Sequence, residues 1–314
     1  ISSKLSKGFI RNGHDVINFS YRNFLNKNIL KDRNETINQK VLDISNNYKP
    51  DLVILGHNNF LYQKNIELLK SKYNSKICLW YEDALGKKGD GPQWRENLDL
   101  IEKNNQLIDS YFTTTHPDEI FTKINRNKLN HLPIPVDENI ENLKLYENKI
   151  NYKDLFFALS HGVNFGKLKK GKYDEREDFI QKLMTKYPNI NYNILGMADE
   201  NPKWNYDYYN ELNKCKIALN LSRGKPIKLT SSNRIASLIG NGIYTFIDKG
   251  TQYNKIFNEN EVGSYSSIND LGSKVERLLS NPDMIKKYAK NGRERYFKLF
   301  NNKIISEDII KKTF

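Results

Sequence analysis

The sequence predicts an α/β protein of two consecutive domains around a cleft. Three observations carry this. Apolar runs of strand length alternate with helical stretches from end to end, the pattern of parallel sheets covered by helices. Two closely spaced prolines in His131-Leu-Pro-Ile-Pro-Val-Asp137 hold the middle of the chain extended. After that break the same alternation starts again. A length of 314 residues agrees with two domains, at roughly 100–200 residues each.

Taken in order, Ser2–Arg11 reads as an amphipathic helix, and a strand and loop are expected to precede it. The first domain, 1–150, has candidate strands at Asp15–Ser20, Asp51–Leu55, Lys76–Tyr81, Ser110–Thr114 and Asn130–Leu132. Helical patterns lie between them at about 36–48, 62–72, 94–106 and 117–125. Pro50 marks a helix-to-strand turn, because proline cannot continue a helix. The stretch from His131 to about Asn151 is the expected linker. The second domain, 151–300, has strands near Asp154–Leu159, Tyr192–Leu195, Ile217–Leu221, Ile243–Ile247 and Gly263–Tyr265. Its helices fall near 174–186, 206–213, 232–240, 269–280 and 282–298. A last helix at about 302–313 carries Ile304, Ile305, Ile309 and Ile310 at helical spacing. No internal repeat or low-complexity segment is visible.

Composition narrows the function classes. Aromatic residues at 12% argue against disorder. No run approaches the roughly 18 apolar residues of a membrane span, and no signal peptide is read at the start. Two cysteines, Cys78 and Cys215, are too few for a disulfide scaffold or a cysteine-based zinc site and fit a reducing cytoplasm. Lys+Arg 50 against Asp+Glu 37 gives +13, a balance that suits nucleic acid, an anionic membrane or a phosphorylated substrate. The lysines travel with abundant Asn, Ile, Tyr and Phe, as in an AT-rich genome. They are also scattered, apart from Lys167–Lys172 and Lys311-Lys312, so charge alone assigns no partner.

The segment richest in chemistry is Leu219–Gly242. A strand ends near Leu221, a loop rich in Ser, Gly, Lys and Arg follows, and a helix starts near Ser231 with Ser231 or Ser232 as N-cap. Gly240-Asn-Gly242 stops that helix. Ligands of open α/β sheets bind outside the carboxyl ends of strands, and a helix amino terminus suits phosphate. Arg223, Lys225, Lys228 and Arg234 could neutralise a diphosphate. The alternative is a solvated basic loop before an ordinary capped helix.

Other strand ends offer weaker signals. Ala158-Leu-Ser-His-Gly-Val-Asn-Phe-Gly166 runs from a strand into a loop with two glycines, matching neither the dinucleotide fingerprint nor the P-loop. It is either a turn or a ligand loop, and His161 either a contact or a turn residue. Leu55-Gly-His-Asn-Asn-Phe60 places His57 after a strand, as a candidate base or a structural histidine. Trp80-Tyr-Glu-Asp83 puts Glu82 and Asp83 at another strand end, as acid, base, hydroxyl ligand or cap. Thr113-Thr-Thr-His-Pro-Asp118 reads mainly as a helix cap. No His-x-x-x-His or cysteine metal spacing occurs, and no Gly-x-Ser-x-Gly elbow.

Three of these segments together resemble a family. Ser2–Val16, with Gly13-His-Asp-Val16, looks like the first helix and second strand of GT-B glycosyltransferases. Asn220-Leu-Ser-Arg-Gly224, Ser231-Ser-Asn-Arg234 and Gly240-Asn-Gly242 resemble the donor-binding core of the group 1, spore-maturation-like glycosyltransferases. Asn281-Pro-Asp-Met284 and Ala289-Lys-Asn-Gly292 resemble the helices that close that domain. The resemblance covers most of the chain, most specifically 215–300. It implies two Rossmann-like domains, an acceptor held by the first and a sugar nucleotide held by the second. It also implies a last helix, 301–314, that returns to the first domain.

By that resemblance Ser222, Arg223, Lys228, Ser231, Ser232, Asn233 and Arg234 surround the donor diphosphate, and His161, Gly162 and Asn164 face the donor from the loop ending at Gly166. Many relatives carry a ribose-binding Glu where this sequence has Ser237. The family generally works without a metal, so no cofactor is expected beyond the donor, a UDP sugar first among the candidates. His57 or Asp83 is the expected acceptor-side base. The acceptor is expected to be a glycan, lipid or small molecule, with a DNA base as a variant that the net charge would favour. The competing class is a non-catalytic nucleotide- or nucleic-acid-binding module. A two-domain periplasmic-type binding protein would leave the basic loop unexplained.

Overall fold

The computed structural model describes residues 2–21, 33–57, 60–86, 93–148, 152–160, 163–164, 167–168, 175–197 and 200–314. The chain forms two units, Ile1–Pro135 with Asn301–Phe314, and Val136–Phe300.

The first unit runs α1 (Ser2–Arg11), α2 (Arg33–Tyr48), β1 (Leu52–Gly56), α3 (Gln63–Tyr73), β2 (Lys76–Tyr81), α4 (Gln93–Glu102), β3 (Ser110–Thr113) and β4 (Leu129–His131). The four strands form a parallel sheet in the order β1-β2-β3-β4. Its core joins Leu79, Tyr81 and Tyr111 to Ile66 and Leu69 of α3 and to Leu98 and Ile101 of α4. The terminal segment Asn301–Phe314 includes the final helix of the chain (Asn302–Thr313), which packs on α1. Gly8 makes this approach possible: a Cβ there would collide with the Asn302 carbonyl. Arg11 Nη1 then donates to Asn302 Oδ1 at 3.0 Å, and Asn302 Nδ2 donates to the Lys4 carbonyl at 3.1 Å.

Two expected elements of this unit take another form. Asp15–Ser20 forms no strand. Its residues are exposed or half-buried and join no ladder among the described residues, and an alternating pattern without a partner is not a strand. The expected helix at 117–125 is replaced by 3-10 turns at Pro117–Glu119 and Arg126–Lys128. Pro117 and Asn125 each set up a short capped turn. Between the turns, the Glu102 carboxylate accepts from the Thr122 hydroxyl and the Lys123 N–H, holding the chain off helical geometry.

The second unit runs β5 (Lys153–Ala158), β6 (Val163–Asn164), β7 (Lys167–Leu168), α5 (Glu175–Lys186), β8 (Tyr192–Leu195), α6 (Asn205–Asn213), β9 (Cys215–Asn220), α7 (Asn233–Gly240), β10 (Tyr244–Asp248), β11 (Gly263–Tyr265), α8 (Ile268–Leu279) and α9 (Pro282–Phe300). The final helix of the first unit is accordingly α10. Five parallel strands lie in the order β11-β10-β9-β5-β8. Alternate residues feed two cores. Leu155, Phe157, Ile217 and Leu219 pack with Ile180, Leu183, Val275 and Ile285 on one face. Phe156 and Ala218 pack with Leu212 and Leu238 on the other. A sheet covered on both sides reads as continuous apolar runs, which is what the sequence shows here.

The unit boundary falls after Pro135, whereas the sequence reading put the domain boundary at 150/151. The chain beyond Pro135 is bonded into the second unit. Leu145 N donates to the Asn241 carbonyl at 2.8 Å, and Leu143 N to Asn241 Oδ1 at 3.2 Å. The buried Arg293 guanidinium donates to the Glu141 carbonyl at 2.6 Å and lies over the Phe297 ring at 4.3 Å. A polar composition had suggested a linker, but these segments use their polar groups to pack.

Candidate functional site

In the second sheet the chain goes from β5 to β8 on one side and then to β9 on the other. The strand order therefore reverses between β5 and β9. Outside the carboxyl ends of two such strands lies the crevice where open α/β sheets bind ligands. The loop that follows β9 is the cationic segment singled out in the sequence.

Arg234, in the first turn of α7, points back to this place. Its Nη1 donates to the Leu221 carbonyl at 2.9 Å, just past the end of β9. Its guanidinium carbon lies 5.6 Å from the Phe157 ring centre on β5. One cation thus touches both strands of the reversal. Stacking and a backbone acceptor hold a guanidinium flat, with further N–H donors in its fork.

Ser232 is the N-cap of α7, its hydroxyl accepting from Ile235 N at 3.2 Å. A helix start presents more N–H donors than its cap consumes. Ser231 turns the other way. It is buried, and its hydroxyl pairs with the buried phenols of Tyr253 and Tyr296. Burial pushes both phenols well above their usual range, so they remain neutral, and Ser231 braces the base of the loop. Asn233 is exposed, and Ser222 is half-buried.

The loop has a fixed course. Gly224 has φ +70° and Leu229 φ +48°. Leu229 N donates to the Thr251 carbonyl at 2.8 Å, and Thr230 N to the Ile227 carbonyl at 3.2 Å. Asp248 at the end of β10 shapes the supporting turn by accepting from Gly250 N at 2.7 Å. Arg223 is exposed and Lys228 half-buried. Gly224 N donates to the carboxylate of Glu175, the first residue of α5. That acidic residue was not foreseen, since an acidic first turn is ordinary helix chemistry.

After β5, a short antiparallel pair joins Val163 to Leu168 and Asn164 to Lys167. Asn164 is therefore in strand backbone. His161 and Gly162 lie outside the described residues.

In the first unit His57 follows β1 directly and has φ +46°, a left-handed conformation uncommon for a side chain with a Cβ. Strain of this kind concentrates at functional positions. Its Nε2 lies 3.5 Å from Glu82 Oε1 and its Nδ1 3.7 Å from Asp83 Oδ2. Its ring lies 4.7 Å from that of Tyr81. The ends of β1 and β2 thus bring His57 and Asp83 together. Glu82 joins them, marked in the sequence by the same position beyond β2. Desolvation first, then the charges of Asp83 and Glu82, push the Tyr81 phenol upward. Among the described residues no group of three or more His, Cys, Asp or Glu could hold a metal ion. No described helix is long and apolar enough to cross a membrane.

Residues 175–311 match the family described as glycosyl transferase-like. A search of curated proteins found no sequence match. Among solved structures, HepE of Anabaena in complex with UDP and glucose superposes with a TM-score of 0.60 at 11% identity, covering 88% of this chain and 80% of that one. Sucrose-phosphate synthase from Thermosynechococcus elongatus gives 0.59 at 13% identity, covering 98% and 90%. A glycosyltransferase from Rickettsia africae gives 0.56 at 12%, covering 99% and 92%. At these identities the likeness establishes the fold.

Proposed function

We propose that this chain, whose fold is that of the GT-B structures it superposes on and whose residues 175–311 match a glycosyl transferase-like family, is a glycosyltransferase that uses a sugar nucleotide, and that its donor is a UDP sugar held at the carboxyl ends of β5 and β9. The observation that carries this is Arg234, turned back onto the Leu221 carbonyl and the Phe157 ring where the strand order reverses. Arg234 takes the diphosphate together with Arg223, Lys228 and the amino end of α7. Charge-assisted bonds of this kind are the strong ones. The UDP in the HepE complexes supports the choice of nucleotide.

In transfer, the bond from the sugar's anomeric carbon to the phosphate oxygen breaks, and the acceptor oxygen bonds to that carbon. The leaving UDP takes the electron pair as an anion, so fixed cations lower the barrier where its charge develops. In an inverting route the acceptor proton goes to a base. His57 is the proposed base: its imidazole takes the proton, and Glu82 and Asp83 stabilise the charge that results. The acceptor is a hydroxyl on a glycan, lipid or small molecule.

A thermal-shift screen against UDP, GDP, ADP and CMP, each with its sugar conjugates, tests the donor. Saturating ligand stabilises by mass action, roughly 2.7 kcal/mol at a hundred times Kd. UDP compounds are expected to give the largest shift, and a larger shift from another nucleotide replaces UDP in this reading. Arg223→Ala and Lys228→Ala are each expected to weaken UDP about five- to tenfold in calorimetry, near 1 kcal/mol. Unchanged affinity removes that side chain from the site.

A further inference from the structure

We propose that the second unit carries a separate binding site for a neutral glycan chain, at the amino-terminal ends of β5 and β9. A cavity of about 360 Å³ opens there, between Tyr152, just before β5, Lys214, just before β9, and the outer face of α6. This falls within the usual range of ligand pockets, roughly 300–1,000 Å³. A strand of this length spans about 20 Å. The cavity and the cationic loop after β9 are therefore at opposite ends of the same strands, and the proposal does not depend on the donor site.

The chemistry of the lining selects the ligand. Lys203 and Lys214 are balanced by Glu211 and Asp207. Glu211 Oε1 accepts from Lys203 at 2.9 Å and from Lys214 at 2.8 Å, and Oε2 accepts from Asn193 at 3.1 Å. Burial pushes the Glu211 carboxyl up, but these hydrogen bonds pull it further down, to about 2. The pairs therefore persist at neutral pH and leave no cationic excess for a phosphate or a polyanion. The Tyr152 hydroxyl also lies within reach of Lys214.

What remains for a ligand is an aromatic face beside planar amide and carboxylate groups. Tyr152 is 56% exposed, and Asp207 and Asn210 line the same cavity. Sugars offer the complement, with an apolar C–H face to stack on a ring and hydroxyls for amide and carboxylate partners. Two more exposed aromatics lie at the start of α6. Tyr206, 75% exposed, precedes Asn210 by one helical turn, and Trp204, 49% exposed, is the extended N-cap residue of α6. Tyrosine and tryptophan are enriched at recognition surfaces, where one side of the ring is apolar and its edge is wet. The place of Trp204 and Tyr206 in the sequence beside the lining residues Lys203 and Asp207 makes a chain of several sugar units, rather than a single one, the ligand proposed.

The test is calorimetric titration of the full chain with maltohexaose, cellohexaose, laminarihexaose and chitohexaose, with a heparin hexasaccharide and a DNA duplex as polyanion controls. At least one neutral oligosaccharide is expected to bind with a Kd of about 1 mM or tighter. Tyr152→Ala and Asn210→Ala are each expected to weaken it about tenfold while UDP affinity and thermal stability stay unchanged. The proposal is overturned if none of the four binds at about 10 mM, if both variants bind as the parent does, or if Tyr152→Ala weakens only the polyanions.

Discussion

The loop after β9 and the ends of β1 and β2 occupy the same kind of position on two parallel sheets and carry opposite charge. After β9 the chain sets out Arg223, Lys225, Lys228 and Arg234 around a capped helix start. After β1 and β2 it sets a strained histidine against Glu82 and Asp83. The sheets differ in the same sense. The second reverses its strand order between β5 and β9, the kind of switch point at which open α/β sheets bind ligands, whereas the first keeps the sequential order β1-β2-β3-β4. Cations beside a crevice bind an anion, while carboxylates beside an imidazole assist proton transfer. Donor affinity and turnover should therefore respond to different substitutions.

The largest separation is expected at His57. His57→Ala should lower kcat about a hundredfold or more, within the usual range for loss of a general base. UDP affinity should not change. Steady-state kinetics with calorimetry in parallel decides it, and full turnover in the variant removes His57 as the base. Arg234→Ala should do the converse and weaken UDP about thirtyfold, close to 2 kcal/mol, as expected for a charge-assisted bond. Because Arg234 also holds the Leu221 carbonyl, Arg234→Lys serves as the partner variant. It keeps the charge but loses the planar fork, so it should fall between the parent and the alanine form. Equal UDP affinity in all three would break the comparison on the donor side.

Much of this was legible in the sequence, for a physical reason. The strands of the second sheet are covered on both faces, so their apolar runs are continuous, and each was read within two residues of its observed bounds. Asp15–Ser20 has the alternation of a strand but no partner, and pairing is not written in one segment alone. The placement of Arg234 followed from a strand, a loop and a helix start in succession. The fate of Ser231 did not follow, because Ser231 and Ser232 look equally fit to cap a helix. Only the packing of Tyr253 and Tyr296, remote in sequence, turns the first inward and leaves the second as the cap. Glu82 and Asp83 were visible as a pair, but that both face His57 depends on the register of β1 with β2.

The smallest expected effects have opposite signs in the two regions, which makes them the sharpest check. Glu175 accepts from Gly224 N in the loop that the donor is proposed to use, and the first turn of α5 adds Glu177 and Asp178. A diphosphate would compete with this carboxylate for the same N–H and repel its charge. Glu175→Gln keeps an oxygen acceptor but removes the charge, and UDP should bind about threefold tighter, a gain of about 0.6 kcal/mol and typical of a partly exposed charge. Glu82→Gln removes a carboxylate from beside His57 and should slow turnover several-fold without touching UDP affinity. Weaker UDP binding by Glu175→Gln would mean that this carboxylate shapes the loop rather than opposing the ligand. In that case acidic groups would support function in both regions, and the contrast between them would rest on Arg234 and His57 alone.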